Sequence, residues 1–218
     1  MALRQGMTDS SSAKKAYHHG ELRQTLIDAA RALVSERGNE NFSLADACRR
    51  AGVTTAAPYR HFADKYEILA EVAAQGFDDM RAKAMQAAQG YPEGDPNRII
   101  AIGRLYVTFA VAEPALFRLM FGQKSDLTHP EKVKTLGASC FAYVVDEVVR
   151  HCAHNAIPGD ATMIAVQLWT VVHGMASLTI DGDYAKVVPE IDIEVMMANA
   201  AERLLFSRGG VAPGSDAL

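Results

Sequence analysis

Apolar residues recur at three- and four-residue spacing through most of this chain, and that periodicity restricts its fold more than any other feature. In the first such segment, which begins at Glu21, the repeating positions are Leu22, Leu26, Ala29, Ala30, Leu33 and Val34. This spacing places the side chains on one face of an α-helix. We find no segment that alternates apolar and polar residues with a period of two between turn signals, as half-buried strands do. The sequence therefore predicts an all-α fold of about nine helices.

Capping and turn residues set the predicted ends of these helices. Gly38 and Gly52 follow the last turns of the first two helices, and Ser43 and Asp64 precede the second and fourth as caps. The segment GYPEGDP, residues 90–96, is the clearest break. The predicted helices span residues 21–37, 44–51, 54–61, 65–89, 97–112, 114–121, 130–154, 160–179 and 190–207.

Cysteine use and hydropathy restrict the class of protein. The three cysteines have no C-x-x-C spacing, which favours reduced thiols. In this interpretation no apolar run approaches the roughly 20 residues that a bilayer span requires. Residues 1–16 lack the apolar core of a signal peptide and are polar and unpatterned. We therefore expect a cytoplasmic protein with a flexible basic tail over residues 1–16 and a second flexible tail over residues 208–218.

Charge is spread unevenly along the chain. The net charge is −4, but residues 13–65 hold nine Lys and Arg against six Asp and Glu, so this segment carries +3 and the remainder −7. A basic segment beside an acidic body is typical of a DNA-binding module joined to another domain. A difference of three charges also arises by chance, so charge alone leaves the interpretation open.

The most specific motif is SLADACRRAGVTTAAPYRHF, residues 43–62. Two short helices that cross steeply need a small residue at the crossing, which Cys48 supplies, and Gly52 suits the tight turn between them. Thr54 can cap the second helix and leave its first turn free to enter a major groove. The spacing alone fits either a DNA-binding helix-turn-helix or an ordinary corner between two helices.

The wider segment YHHGELRQTLIDAARALVSERGNENFSLADACRRAGVTTAAPYRHFADKYEIL, residues 17–69, resembles the DNA-binding domain of the TetR/AcrR repressors. The later stretches EPALFRLMFG, residues 113–122, and LWTVVHGMASL, residues 168–178, resemble the C-terminal domain type that carries a Trp-x3-His-Gly element. The resemblance implies a three-helix helix-turn-helix domain over residues 17–65. It also implies a larger ligand-binding and dimerisation bundle over residues 66–207.

Carried over residue by residue, the resemblance makes residues 54–61 the recognition helix. Its exposed first turn would read base edges, and the residues that follow would meet phosphates or flanking bases. Lys65 would bind a phosphate at the start of the next helix, Ser43 would do so at its own, and the N-terminal lysines would follow the DNA as an arm. The implied DNA-binding residues are Lys14, Lys15, Ser43, Thr54, Thr55, Ala56, Ala57, Tyr59, Arg60, His61 and Lys65.

Two residues depart from the family pattern. Pro58 replaces an aliphatic residue four positions after Thr54, where it forfeits only the first helical hydrogen bond. Cys48 stands where alanine is usual, and a small buried hydrophobe is a better interpretation than a redox sensor.

The larger half contains a helix, residues 160–179, that is apolar nearly all round and must therefore be covered on two sides. The resemblance implies that this helix and the last one, residues 190–207, pair with their mates in a homodimer. It also implies a cavity for a small apolar or aromatic effector, although aromatic residues at helical spacing are usually plain core. The candidate pocket residues are Tyr106, Phe109, Phe117, Met120, Phe121, Phe141, Tyr143, Trp169 and His173.

Two clusters invite other interpretations. His151, Cys152 and His154 are spaced so that they do not share one helical face, and a helix end decorated with histidines is favoured over a metal site. Asp146, Glu147 and His151 are the nearest approach to an enzyme's acid–base set, but no recognisable motif surrounds them. We therefore predict no enzyme, no metal and no cofactor. The partners would be double-stranded operator DNA, a second copy of the chain and a small-molecule effector, and a non-regulatory DNA-binding or adaptor protein is the remaining alternative.

Overall fold

The computed structural model describes residues 10–38, 41–54, 58–122, 127 and 130–206, and the regular structure in these ranges is helical throughout. This confirms the predicted all-α class. The helices are α1 (Ser10–Arg37), α2 (Leu44–Ala51), α3 (Lys65–Ala88), α4 (Pro96–Ala112), α5 (Pro114–Phe121), α6 (Pro130–Asn155), α7 (Ala161–Ile180), α8 (Asp183–Val187) and α9 (Ile193–Phe206), with a 3-10 turn at Pro58–Arg60.

The predicted caps around α2 and α3 are confirmed. The Ser43 hydroxyl accepts a hydrogen bond from the Asp46 N–H, while the Asp46 carboxylate accepts one from the Ser43 N–H. This reciprocal box satisfies two helix-end donors. Gly52 ends α2 with a φ of 69°, a left-handed conformation that costs glycine little. Asp64 caps α3 by accepting from the Glu67 N–H at 2.8 Å.

Three predicted boundaries were wrong. Helix α1 begins at Ser10, so residues 10–16, predicted as a tail, are helical, because good helix formers such as Ala13 and Lys14 precede the amphipathic segment and Gly20 does not interrupt the helix. The stretch between Gly182 and Pro189 contains the short helix α8. Helix α9 begins at Ile193 rather than at residue 190, since the Asp192 carboxylate accepts from the N–H groups of the two residues after Ile193.

The predicted recognition helix differs from an α-helix in the part that is described. Pro58–Arg60 form a 3-10 turn, whereas an α-helix over residues 54–61 would have carried through them. Proline has no N–H to donate to the carbonyl four residues earlier, which favours a tighter turn at this point. Thr55, Ala56 and Ala57 lie outside the described residues.

The hydrophobic core runs across the boundary predicted at residues 65–66. One cluster joins Leu26 of α1 and Phe62 to Phe77 of α3 and Met120 of α5. Helix α3 reaches both halves, because its first turns pack beneath the helix-turn-helix and its later turns pack on α4, α5 and α6. A displacement of α3 or α5 therefore bears directly on the DNA-binding half.

Helix α7 contradicts the prediction that no apolar run approaches the length of a bilayer span. It is 20 residues long, and its most apolar 18-residue window has a mean hydropathy of 1.5, so by length and composition it meets the requirement for a membrane span. Core helices of soluble proteins meet the same requirement, and α7 packs against α4, α6 and α9. Part of its apolar surface nevertheless stays exposed, as at Met163 and Val166.

Candidate DNA interface and ligand cavity

Helix α2 is held rigidly against α1 by packing and by charge. Ala47 and Cys48 are fully buried at the crossing, where larger side chains would separate the helices. Burial raises the pKa of the Cys48 thiol, which fits a small hydrophobe better than a reactive thiolate. On the outer side, the Arg50 guanidinium donates two 2.6 Å hydrogen bonds to the Glu36 carboxylate of α1 and lowers the pKa of that carboxyl.

The candidate DNA-binding side chains that are described lie around this unit. Ser43, Thr54 and Arg60 are exposed, and Tyr59 keeps 67% of its surface exposed. His61 is half-buried with its ring beside Phe62.

The remaining candidates are three lysines, one at the start of α3 and two in α1. The Lys65 ammonium lies 5.0 Å from the centre of the Phe42 ring, so a cation–π contact holds it at the start of α3. Lys14 and Lys15 belong to α1, but their side chains lie outside the described residues. Arg49, which the sequence reasoning passed over, is 77% exposed beside Asp46 on the outer face of α2.

A cavity of about 380 Å³ lies between α3, α4, α6, α7 and α9. Its wall is almost entirely apolar, and the lining residues whose side chains carry a polar atom are Tyr106, Trp169, Cys140 and Lys134. A volume in this range accommodates a small ligand. The wall includes Phe77, Met80, Ile99, Ile102, Gly103, Tyr106, Phe121, Gly137, Phe141, Leu168, Trp169 and Met197.

The nine candidate pocket residues divide into three groups. Tyr106, Phe121, Phe141 and Trp169 line the cavity. His173 and Phe117 stand behind that wall, with their rings 6.2 and 5.6 Å from the Tyr106 ring centre. Phe109 and Met120 belong to the core shared with the DNA-binding half, and Tyr143 packs against a small cluster around Ala84 and Ile102.

The Trp-x3-His spacing brings two polar groups to one hydroxyl. The Trp169 indole N–H lies 3.3 Å from the Tyr106 oxygen, and that oxygen lies 2.7 Å from Nδ1 of His173. Because indole can only donate, the Trp169 N–H donates to the Tyr106 oxygen, and the Tyr106 hydroxyl shares a second hydrogen bond with Nδ1 of His173. Burial raises the pKa of Tyr106 and lowers the pKa of His173, so both groups are neutral in this network.

The sequence reasoning missed the small residues that make room for the cavity. A Cβ at Gly137 of α6 would lie 3.2 Å from the Phe77 ring, and one at Gly103 of α4 would lie 3.4 Å from Val172. Glycines in helix interiors were the available signal, since they lower helix propensity unless close packing requires them. Cys140 also lines the cavity, and burial raises the pKa of its thiol to about 11.

The polar clusters of α6 have structural partners. Glu147 accepts two 2.8 Å hydrogen bonds from Arg98 and a third contact from Arg150. His151 is fully buried, with its ring nitrogens 3.0 Å from the Gly94 carbonyl and 3.1 Å from that of Leu205. The expectation of a histidine-decorated helix end was therefore wrong for His151. Within the described residues no group of three or more potential metal ligands comes together.

Two ion-pair clusters, also missed, join α1 to the larger half. Glu71 of α3 pairs with Arg23 of α1 and with Lys132 of α6, at 3.0 and 2.7 Å. Arg31 of α1 pairs with Asp79 of α3 and with Glu113, the residue between α4 and α5. These bridges supplement the apolar core that the two halves share.

Comparison with known proteins identifies both halves. Residues 26–72 match the family described as bacterial regulatory proteins of the tetR family, and residues 99–204 match the tetracyclin repressor-like C-terminal domain. Together the two matches cover well over half of the chain.

Individual proteins of similar sequence or structure agree with these family matches. The regulator AcrR of Shigella flexneri is 31% identical over 80 residues, which is 37% of each chain. A solved protein of unknown function from Rhodococcus sp. RHA1 is 30% identical, with a TM-score of 0.76 over 87% of this chain and 96% of the other. A TetR-family transcriptional regulator from Streptomyces coelicolor shares the fold, with 20% identity and a TM-score of 0.66 over 93% and 96% of the two chains. This chain belongs to the TetR family of transcriptional regulators, whose members bind DNA through a helix-turn-helix.

Proposed function

We propose that this regulator is a homodimeric repressor that a small apolar or aromatic molecule releases from its operator. The observation that carries the proposal is the cavity of about 380 Å³, whose wall reaches α3 and α5, the two helices that also pack on the DNA-binding half. A ligand that fits one arrangement of these helices better than another changes the affinity for DNA by the same differential free energy.

The cavity wall favours a neutral effector. Its surface is overwhelmingly apolar, and the charged residue in its wall, Lys134, already pairs with Glu131 at 2.7 Å, so an ion placed there would lose its hydration. Tyr106 lines the cavity, and its hydroxyl, already bonded to Trp169 and His173, is a polar group with which a hydroxyl or amine of the effector can form a hydrogen bond. The Trp-x3-His network therefore supports our assignment of this half to the Trp-x3-His-Gly type of C-terminal domain.

The DNA side of the proposal uses the exposed residues around α2. Residues 54–57 would read base edges, whereas Ser43, Tyr59, Arg60, His61 and Lys65 would hold the phosphate backbone, with Lys14 and Lys15 as an arm. Lys65 opens α3, where its ammonium and the positive end of the helix dipole both favour a phosphate. Since its operator lies in the genome, we place the protein in the cytoplasm.

The test begins with selection of a duplex from a random pool by the purified chain, followed by affinity measurements at several salt concentrations. Replacing Tyr59 or Lys65 by alanine should weaken binding to all duplexes by about the same factor, while replacing Thr55 should change the preferred sequence. Tyr91→Ala is the matched control, because this half-exposed tyrosine follows the opposite end of α3 and should leave affinity unchanged. Salt-insensitive binding, or equal affinity for all variants, would contradict the proposed interface.

The effector arm uses 1-naphthol as a neutral aromatic probe and 1-naphthalenesulfonate as its charged counterpart. Trp169 is the only tryptophan in the chain and lines the cavity, so its fluorescence reports occupancy. The neutral probe should change that fluorescence and lower operator affinity about 5- to 150-fold. Stronger binding of the sulfonate would contradict a neutral effector, and unaltered operator affinity with a filled cavity would contradict release.

A further inference from the structure

Arg31 of α1 makes the most extensive polar contact between the two halves. Its Nη2 lies 2.9 and 3.1 Å from the two carboxylate oxygens of Glu113, its Nε lies 3.3 Å from one of them, and its Nη1 bonds to Asp79. The side chains of Arg31 and Glu113 are only 23% and 26% exposed. Burial disfavours the guanidinium charge, but the hydrogen bonds to both carboxylates outweigh it and raise the pKa of Arg31.

Glu113 occupies an unusual position. It is the single residue between α4 and α5, which meet at an angle of 111°. Its N–H donates to the Phe109 carbonyl of α4, and its own carbonyl accepts from the Phe117 N–H of α5, both at 2.9 Å. Its side chain makes no cap bond to α5 and instead points to Arg31. The backbone of Glu113 thus belongs to the corner of the larger half, while its carboxylate binds the DNA-binding half.

The other end of α5 reaches the cavity. Phe121, the last residue of this eight-residue helix, lines the cavity and lies 5.3 Å from His173 and 5.2 Å from Phe77, between ring centres. A helix of this length spans about 12 Å and moves as a rigid piece. A molecule that displaces Phe121 therefore displaces Glu113 as well.

We propose that the Arg31–Glu113 ion pair is the contact through which occupancy of the cavity is transmitted to the helix-turn-helix, with α5 as the rigid connection between them. The proposal rests on the proposed function, since it needs an effector in the cavity and an operator at α2. Arg31 and Glu113 are positioning residues in this scheme, because they contact neither the effector nor the DNA.

Bidentate geometry is the reason that this contact transmits a displacement. Two parallel N–H···O bonds fix both distance and orientation, so a small shift of Glu113 either carries α1 with it or breaks the pair. An apolar contact between α1 and α5 would tolerate the same shift, because it has no directional bond to break. Asp79 anchors the same guanidinium to α3, so the displacement reaches both helices that support the recognition segment.

The experiment fills the cavity covalently, so that occupancy does not depend on an unknown ligand. In a Cys48→Ala, Cys152→Ala background, Cys140 is the only cysteine, and it lines the cavity. Benzyl methanethiosulfonate attaches a benzylthio group there, and methyl methanethiosulfonate attaches a small control group. Labelling is carried out at about pH 9, because the thiol pKa of about 11 leaves little thiolate at neutral pH. Mass spectrometry verifies complete labelling.

The measured quantity is the ratio of operator dissociation constants with the benzyl and the methyl label, using the duplex selected above. In the parent background this ratio should lie between about 5 and 150. In Arg31→Met and in Glu113→Gln it should fall below about 2, although each variant keeps a cooperative thermal transition. Lys132→Met is the matched control, because it removes an ion pair to α3 without touching α5, and it should keep the parent ratio.

The possible outcomes separate the two proposals. If the variants keep the parent ratio, the ion pair does not transmit occupancy and this inference is overturned, while effector-controlled release stands. If the parent itself shows a ratio near 1, release by cavity occupancy is contradicted and the inference falls with it. If Lys132→Met loses the response as well, the loss of any ion pair on α3 suffices, and the specific role of Arg31 is overturned.

Discussion

Buried charge in this protein is concentrated where separate helices must be held in a fixed arrangement. Glu147 is only 2% exposed, yet it is ionised, because Arg98 of α4 and Arg150 of its own helix donate to it. Arg98 also donates to the carbonyls of Ala88 and Tyr91, so a single guanidinium fastens the loop between α3 and α4 onto α6. These bonds replace the hydration that both charges lose.

The pKa of Glu147 makes a prediction for stability against pH. Hydrogen bonds from Arg98, opposed by burial, lower the pKa of this carboxyl from 4.5 to about 2. The stability that ionised Glu147 contributes to the folded state is therefore fully present above pH 4.5 and is lost as the pH falls towards 2. A pKa shift of this size corresponds to about 3 kcal/mol in the free energy of unfolding. Glu147→Gln should be about 3 kcal/mol less stable than the parent at pH 7, with the difference shrinking as the pH falls through this window.

Urea unfolding at a series of pH values measures this difference. Glu131→Gln is the matched control, because Glu131 is 80% exposed and pairs only at the surface with Lys134, so its replacement should have little effect. Stability curves of Glu147→Gln and the parent that run parallel from neutral to acid pH would show that the buried pair contributes no pH-dependent stability.

At the level of elements, α3 and α5 approach closely because Gly76 leaves no side chain between them. A Cβ at this position would lie 2.6 Å from Sδ of Met120 and 3.2 Å from the nearest atom of Leu116, both of which are fully buried. Close packing of this kind is what makes a displacement of α5 felt by α3. The glycine therefore serves helix packing at the expense of helix propensity.

Gly76→Ala should accordingly lower the free energy of unfolding by about 1 kcal/mol. Overpacking of a core costs about 1–3 kcal/mol, and the higher helix propensity of alanine offsets about 1 kcal/mol of that cost. In a Met120→Ala background the same substitution should become neutral or stabilising, because the obstructing sulfur is absent. Thermal and urea unfolding of the parent, the two single variants and the double variant gives the coupling free energy between Gly76 and Met120. Gly103→Ala is the comparison, as its nearest contact would be an ordinary 3.4 Å. An unchanged effect of Gly76→Ala in both backgrounds would contradict the steric explanation.

Elements whose signals are local were predictable from the sequence, as the box at Ser43 and Asp46 and the turn at Gly52 illustrate. Aromatic Tyr106, Phe121, Phe141 and Trp169 were assigned to a ligand pocket, and all four line the cavity, although ligand binding there stays a prediction. The connections between distant elements were not predictable. Arg31 and Glu113 are 82 residues apart, and nothing in the local pattern of either residue indicates its partner. Small cavity residues such as Gly137 were missed for the same reason, since their role depends on what packs opposite.

At the scale of the whole molecule, α7 and α9 each leave a row of residues with exposed apolar members on one face. On α7, Met163, Val166 and Gly174 lie on one side of the helix, and nothing beyond the chain neighbours and the helix's own backbone lies within 4 Å of the Cβ position of Gly174. On α9, Val195 and Phe206 are 54% and 48% exposed, with the polar residues Asn199 and Glu202 between them. Two helices with exposed rows of this kind suit an isologous interface, in which the same faces of two copies meet around a twofold axis. Such an interface also sets the separation of two recognition segments, which a palindromic operator requires.

The dimer proposal predicts that a charge within these rows breaks both assembly and DNA binding. Val195→Asp would place a carboxylate in a desolvated interface, so the variant should sediment as a monomer and lose at least tenfold in operator affinity. Val111→Asp is the matched control, because it makes the same substitution at a valine that is 48% exposed at the end of α4 and lies outside both rows. It should remain a dimer and bind as the parent does. A monomeric parent would contradict the dimer proposal. A dimeric Val195→Asp with full operator affinity would place the interface elsewhere, since α9 cannot pair with its mate while one carboxylate of each copy faces the other across the axis.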